Sequence, residues 1–254
     1  MVMNEILVKG TTLPEVYHQA LFALLISGEE SSCSDWNTNQ KELSMTMVVQ
    51  NPLQEPMISK LFIGGFKELE QYCQEMIDGI LDFEVECGNW SYTYHQRIAS
   101  QMPLVINELR RNSDSRRAVI DVRDWEHDIF SNNPACLQNI QYFIRDNKLH
   151  CKVLFRSNDA CKATFMNAFA LIMIQKKIAD QLGIKVGTYT HRANSFHCYE
   201  KDYELLRGYV NRINSSEDNC TYDYIGEWDE LMEASKPEIA KMVEELKHRN
   251  EVVE

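Results

Sequence analysis

Cys136 and the Arg-Ser-Asn-Asp tetrad at 156–159 have the side chains that a nucleophilic site requires. The thiolate is the reactive form of cysteine, and a guanidinium close to the sulfur, here that of Arg156, favours it. Ser157, Asn158 and Asp159 add a hydroxyl, an amide and a carboxylate, groups that commonly orient a small molecule. The alternative is a structural role, because a lone cysteine is most often a small buried hydrophobic residue.

Predicted strands bring Cys136 and Arg156 to the same end of a sheet. Period-two patterning indicates strands at 118–122, 139–146 and 149–156, and Asp146-Asn147-Lys148 is a plausible hairpin turn between the last two. Cys136 precedes the first strand of this hairpin, and Arg156 ends the second. A further strand is predicted at 186–193.

Helical patterning fills most of the remaining chain. Helices are predicted from the cap Thr12 to Gly28, at 66–80, at 98–111, at 165–183 with Gly183 as the stop, near 200–213, and at the C-terminus, where Ser235 and Glu238 form a capping box around Pro237. The only soft stretches, 28–42 and 214–221, are too short to count as low complexity, and no long Ser/Gly/Pro tract offers a place for an interdomain linker. We therefore predict one α/β (α+β) domain over residues 1–254, a mixed β-sheet packed with long helices.

Charge and cysteine content limit the classes of function. The net charge of −12 argues against binding nucleic acid or a membrane surface, which requires a basic face. No signal peptide or membrane-spanning apolar run is present, so we expect a cytoplasmic protein whose eight cysteines are thiols. The chain contains no Cys-x-x-Cys pair, and we therefore expect no metal site.

Several short motifs, taken in order, resemble the thymidylate synthase superfamily. They are Tyr92-Thr93-Tyr94-His95-Gln96-Arg97, Asp114-Ser115-Arg116-Arg117, Asn133-Pro134-Ala135-Cys136, Arg156-Ser157-Asn158-Asp159, Asn167, and Ser195-Phe196-His197-Cys198-Tyr199. The resemblance covers about residues 90–210, within a motif-bearing core of about 60–210. It is nearest to the compact branch of the family and to the phage pyrimidine-nucleotide hydroxymethylases.

The resemblance implies covalent catalysis on a pyrimidine ring. C5 of uracil or cytosine is a weak nucleophile, and addition of a thiolate at C6, here from Cys136, activates it. The carbon unit would come from 5,10-methylenetetrahydrofolate as co-substrate. Glu68, in the segment 68–72, resembles the family's general base, although its spacing equally fits a solvated helix face. Tyr94 is implied as a further catalytic residue.

The resemblance also implies a nucleotide site shared between two subunits. The implied ligands are Arg116, Arg117, Arg156, Ser157, Asp159, Asn167, His197 and Tyr199. Arg116 and Arg117 would reach across the interface of a homodimer, whereas without the resemblance they fit an exposed surface pair. His197 alone would fit a structural histidine. Asn167 would read the pyrimidine edge and favour uracil, and Asp159 would also contact folate.

Departures from the family pattern affect the folate half of the site. Residues 34–39 lack the phosphate-binding arginine of the family, with Lys41 as a possible substitute, and Leu137 follows the nucleophile. No tryptophan occurs at 66–88, and the end at 244–254 is charged. We predict dUMP methylation to dTMP. The alternatives are C5-hydroxymethylation of dUMP, dCMP or CMP, and a catalytically inactive nucleotide-binding member.

Overall fold

A computed structural model describes residues 3–215 and 219–251. The strands are β1 (Glu5–Gly10), β2 (Glu29–Cys33), β3 (Thr38–Val49), β4 (Ile58–Ser59), β5 (Val119–Asp121), β6 (Leu137–Arg145), β7 (Lys148–Asp159), β8 (Lys185–Tyr199) and β9 (Thr221–Tyr222). The helices are α1 (Leu13–Ser27), α2 (Phe66–Ile77), α3 (Phe83–Glu86), α4 (Tyr94–Ala99), α5 (Met102–Arg111), α6 (Trp125–Asp128), α7 (Thr164–Leu182), α8 (Tyr203–Asn214) and α9 (Asp229–Glu251).

A mixed sheet forms the centre of the fold. Its order is β1-β3-β8-β7-β6-β5, with β2 paired to β3. The pairs β1–β3 and β7–β8 are parallel, and the others are antiparallel. Because β7 and β8 are parallel and joined by α7, both strands end at the same edge of the sheet. The mixed α/β architecture predicted from the sequence is confirmed.

Helix α7 packs on the sheet along its apolar length. Its buried residues include Phe165, Phe169 and Ile178, and the helix ends where Gly183 adopts a φ of 69°. Glycine adopts that left-handed conformation most readily because it lacks a side chain. This packing fixes the first turn of α7, which carries Asn167, against the ends of β7 and β8.

The local signals in the sequence predicted several elements correctly. The strands at 118–122, 139–146 and 149–156 correspond to β5, β6 and β7, and Asp146 and Asn147 form the hairpin turn with φ of 50° and 55°. Thr12 caps α1, accepting a hydrogen bond from the Glu15 N–H. The charged C-terminal segment is helical to Glu251, and residues 252–254 lie outside the described residues.

Other predicted boundaries are wrong. Residues 28–42 hold β2 and the start of β3, because pairing with each other and with β8 orders this polar stretch. The helix predicted at 98–111 is two helices, α4 and α5. Helix α9 begins at Asp229, so Pro237 lies inside it and the Ser235 hydroxyl donates to the Met232 carbonyl instead of capping. Of the stretch 214–221, residues 216–218 lie outside the described residues.

In the described ranges 3–215 and 219–251, no helix combines the length and the apolar character needed to cross a membrane.

Candidate active site

Cys136 lies immediately before β6, next to the end of β7. The Arg156 N–H donates to the Cys136 carbonyl (2.8 Å), and the Arg156 guanidinium donates to the carbonyls of Pro134 (2.7 Å) and Ala135 (3.2 Å). These bonds hold the loop 134–136 against β7. The structure therefore brings the predicted nucleophile and the predicted phosphate ligand together.

The environment of the Cys136 sulfur has opposing effects on its ionisation. Burial raises the pKa of the half-buried thiol, and the positive charge of Arg156 lowers it, with burial the stronger influence. The ligand-free protein therefore holds Cys136 mainly as a thiol at neutral pH, and Arg156 is the group that favours the reactive thiolate.

Alkylation should show this balance. Since only the thiolate reacts, the rate at Cys136 should rise with pH from 7 towards the raised pKa. Removing the charge with Arg156→Met raises that pKa further and should slow alkylation several-fold at fixed pH. Mass spectrometry of iodoacetamide-treated peptides measures the rate, with the exposed Cys87 as an internal reference. An unchanged rate at Cys136 in Arg156→Met would contradict the assigned role of the guanidinium.

The ends of β7 and β8 form a polar cluster. Asp159 lies opposite His197 in the ladder, and Ser157 Oγ is 3.4 Å from His197 Nδ1. The rings of His197 and Tyr199 meet edge to face at 4.8 Å. Burial raises the pKa of Asp159 and lowers that of His197, so a neutral imidazole is favoured, suited to hydrogen bonding with a hydroxyl.

Asn167, in the first turn of α7, is buried and held by a tyrosine from α2. The Tyr72 hydroxyl donates to Asn167 Oδ1. This bond orients the amide and leaves Nδ2 as the group that can donate to a ligand. Sequence reasoning missed Tyr72, although it lies one turn beyond the glutamate that was singled out.

A cavity of about 450 Å³ adjoins these residues. Residues lining it include Tyr72, Glu75, Trp90, Tyr92, Tyr94 and Asn133. Tyr94 also accepts a hydrogen bond from the Leu137 N–H (3.3 Å), next to the nucleophile. Two tyrosines of one cavity thus contact the Cys136 segment and Asn167. Aromatic walls of this kind suit a planar heterocycle.

Glu68 does not line this cavity. It is exposed in the first turn of α2, where its Oε2 accepts a hydrogen bond from the Gly65 N–H (2.7 Å). The cavity carboxylate is that of Glu75, two turns further along the helix. Burial raises the pKa of Glu75, and a hydrogen bond from Gln71 opposes the shift. Of the two carboxylates, Glu75 therefore borders the cavity and Glu68 does not.

Arg116 and Arg117 are exposed and lie away from Cys136 within the chain. The Arg116 carbonyl accepts from Gln141 Nε2 (2.9 Å), five residues along β6 from the nucleophile. Five extended residues span about 17 Å. The two arginines therefore do not join the cluster of Ser157 and His197 in the same chain.

The structure also locates the departures from the family pattern. Lys41, the possible substitute for the absent arginine, donates from Nζ to the Leu25 carbonyl at the end of α1 (3.2 Å). Leu137 is fully buried. A tryptophan does line the cavity: Trp90, just beyond the stretch 66–88. The aromatic run Trp90, Tyr92, Tyr94 was the signal for it.

Over residues 3–215 and 219–251, no cluster of three or more His, Cys, Asp and Glu side chains could hold a metal ion.

Comparisons with known proteins agree with this geometry. A family model described as thymidylate synthase matches residues 70–231. A relative from Methanocaldococcus jannaschii, provisionally named a thymidylate synthase, is 30% identical over 218 residues, which cover 80% of this chain and 95% of the relative. Thymidylate synthase 1 of Bacillus subtilis is 25% identical over 177 residues, covering 68% of this chain and 60% of that protein.

A solved structure shows the same fold. Thermostable thymidylate synthase A from Bacillus subtilis matches with a TM-score of 0.63 at 17% identity, covering 79% of this chain and 84% of that one. The family match spans more than half of the chain. The resemblance drawn from the motifs is confirmed, and the chain belongs to the thymidylate synthase family of enzymes.

Proposed function

We propose that residues 1–254 form one catalytic domain that methylates dUMP to dTMP in the cytoplasm, with 5,10-methylenetetrahydrofolate as co-substrate. The observation that carries the proposal is the cavity whose tyrosines contact both the Cys136 segment and Asn167. A pyrimidine ring bound beside these tyrosines would approach the Cys136 segment at Tyr94 and the Asn167 amide at Tyr72. The cavity also provides aromatic walls, Trp90 and Tyr92, for a second ring system.

The nucleotide is held through its phosphate, sugar and base. Arg156 and Ser157 bind the phosphate, because a guanidinium and a hydroxyl at one strand end suit an oxyanion. His197 and Tyr199 bind the sugar hydroxyl. With the base bound, the Cys136 thiolate adds to C6 and leaves again once C5 has been substituted.

The folate half of the proposed reaction depends on the same cavity. Methylenetetrahydrofolate supplies a one-carbon unit and a hydride when it is bound. Glu75 removes the C5 proton, since its carboxylate lines the cavity and its raised pKa suits a general base. Asp159 faces the folate ring, and Tyr94 holds the Leu137 N–H beside the nucleophile.

Product analysis tests the reaction. The protein is incubated with dUMP and methylenetetrahydrofolate, and both products are identified by mass spectrometry. A methyl product together with dihydrofolate supports the synthase. A hydroxymethyl product together with tetrahydrofolate would replace it with the hydroxymethylase reaction, and the absence of any product or covalent adduct would indicate an inactive nucleotide-binding protein.

The orientation of Asn167 predicts a preference for uracil. Because Oδ1 accepts from Tyr72, Nδ2 is directed to an acceptor, and uracil O4 is one whereas the cytosine 4-amino group is a donor. We expect dUMP to bind at least about tenfold more tightly than dCMP, since a mismatched donor pair leaves a buried group unsatisfied. Calorimetry with both nucleotides measures the ratio. Equal or reversed affinities contradict this role for Asn167.

A shared site predicts activity from mixed inactive subunits. We propose that Arg116 and Arg117 complete the phosphate site of the partner in a homodimer, because both are exposed and remote from their own Cys136. Arg116→Ala/Arg117→Ala and Cys136→Ala should each be inactive. A one-to-one mixture should regain about a quarter of the wild-type activity, since half of the dimers are hybrids with one intact site.

The control mixes Cys136→Ala with Arg156→Ala. These residues come from the same chain of a site, so no hybrid contains an intact site and no activity should return. Fluorescence energy transfer between labelled subunits verifies exchange. Failure of the first mixture to recover under verified exchange, or equal recovery in the control, would exclude donation across the interface.

A further inference from the structure

A second cavity borders α2 and α4 and is lined by other residues of these helices than the candidate active site. It has a volume of about 290 Å³ and lies between the end of α2, α4, α5 and the C-terminal half of α7. Apolar side chains that line it include Ile77, Ala99, Met102 and Ile106. It shares no lining residue with the first cavity.

The polar part of this second cavity is cationic. Arg110, Lys177 and His95 line it, and no lining residue is a carboxylate, in a chain whose net charge is −12. Their neighbours in sequence are paired: Arg111 with Glu108 at 2.6 Å, and Lys176 with Asp180 at 2.6 Å. Across the described parts of the chain, neither Arg110 nor Lys177 has a carboxylate within ion-pair distance.

Arg110 and His95 are both held in place by hydrogen bonds within the protein. Arg110 donates to the Gln181 carbonyl (2.9 Å), which fixes the guanidinium at the cavity and leaves further N–H groups for a ligand. His95 Nδ1 is 2.7 Å from Asp82 Oδ2, and Thr93 donates to the other oxygen of that carboxylate. The remaining ring nitrogen, Nε2, is the one that a ligand can engage.

A glycine allows the imidazole to take this position. Gly79 has a φ of 69°, and a Cβ there would lie 2.2 Å from His95 Nδ1. Any larger residue would displace the ring from Asp82. The close approach of helix end, carboxylate and imidazole is therefore part of the architecture of the cavity.

We propose that this second cavity binds a small organic phosphate, an anion with a compact apolar body. A phosphate monoester carries close to two negative charges at neutral pH, which Arg110 and Lys177 balance, and His95 adds a third donor. The apolar lining contacts the organic part, which inorganic phosphate lacks. The site stands apart from the proposed reaction: Lys177 is ten residues beyond Asn167 on α7, about 15 Å along the helix.

Phenyl phosphate is the probe for this site. Calorimetric titration of the full-length protein should show binding, at least tenfold tighter than that of inorganic phosphate or of phenol. The double variant Arg110→Ala/Lys177→Ala should bind phenyl phosphate at least tenfold more weakly than the wild type. Both side chains are exposed, so the fold is retained, which circular dichroism verifies.

Matched variants separate this site from other sources of binding. Arg111→Ala/Lys176→Ala removes the same charge from the neighbouring positions and should leave the affinity unchanged. An equal loss of affinity in that variant would show that the overall charge of the protein, and not this cavity, determines binding, and would overturn the proposal. A loss in Arg156→Ala with none in Arg110→Ala/Lys177→Ala would place the ligand in the active site. The proposal would also be overturned if phenyl phosphate did not bind, or if inorganic phosphate bound with equal affinity.

Discussion

Replacing Cys136 with alanine should abolish turnover of dUMP, with a loss of at least about 10⁴-fold in kcat. The side chain supplies the only bond that activates C5 in the proposed reaction, and none of the residues that line the adjoining cavity is a cysteine that could replace it. Binding of dUMP should change only a few-fold, because the phosphate, sugar and base contacts come from other residues. Steady-state kinetics and calorimetry on the same preparation measure the two effects.

The control for Cys136→Ala is Cys87→Ala. Cys87 is an exposed thiol in the turn that follows α3, and its loss should leave kcat unchanged. Wild type and Cys87→Ala should each form a covalent adduct with 5-fluoro-dUMP and methylenetetrahydrofolate, seen as a mass increase of the intact chain, and Cys136→Ala should not. Substantial turnover or an adduct in Cys136→Ala would remove this residue from its assigned role.

The sequence predicted those parts of the fold that depend on local chemistry. The turn at Asp146 and Asn147 is formed by residues that tolerate positive φ, and α7 combines an apolar run with a glycine stop. The predicted hairpin was sufficient to predict that Cys136 and Arg156 lie next to each other. These features need no information about distant parts of the chain.

Elements that depend on tertiary pairing were not predicted. Half of β3 is polar, and it is a strand because β2, β1 and β8 pair with it. Helix α9 begins six residues before the apparent capping box. Trp228 and Met232 pack into the core there, and their burial extends the helix towards its N-terminus. Local capping signals have less influence there than burial of two large side chains.

The choice between two glutamates on α2 illustrates the same limit within the site. Glu68 and Glu75 are seven residues apart, which places them on one face of the helix, two turns from each other. Helical periodicity in the sequence therefore cannot distinguish Glu68 from Glu75. Only the packing of α2 against α7, through Tyr72 and Asn167, shows which turn borders the cavity.

Glu75→Gln should therefore lower kcat by about 10²- to 10⁴-fold, the usual contribution of a general base. The amide keeps the size of the side chain, so KM for dUMP should change little. Release of tritium from [5-³H]dUMP measures removal of the C5 proton directly and should fall in parallel. The base acts deprotonated, so wild-type activity should fall as pH drops through the raised pKa of Glu75, and the variant should lose this acid limb.

Glu68→Gln is the matched substitution on the same helix. Its carboxylate is exposed and bonded to the Gly65 N–H, so its replacement removes one contact at the start of α2 and should leave kcat within a few-fold of wild type. The two variants carry the same change of charge and shape, and Glu75 borders the cavity whereas Glu68 does not. A large loss in Glu68→Gln, with tritium release intact in Glu75→Gln, would return the base to Glu68 and require α2 to shift towards the cavity when the nucleotide binds.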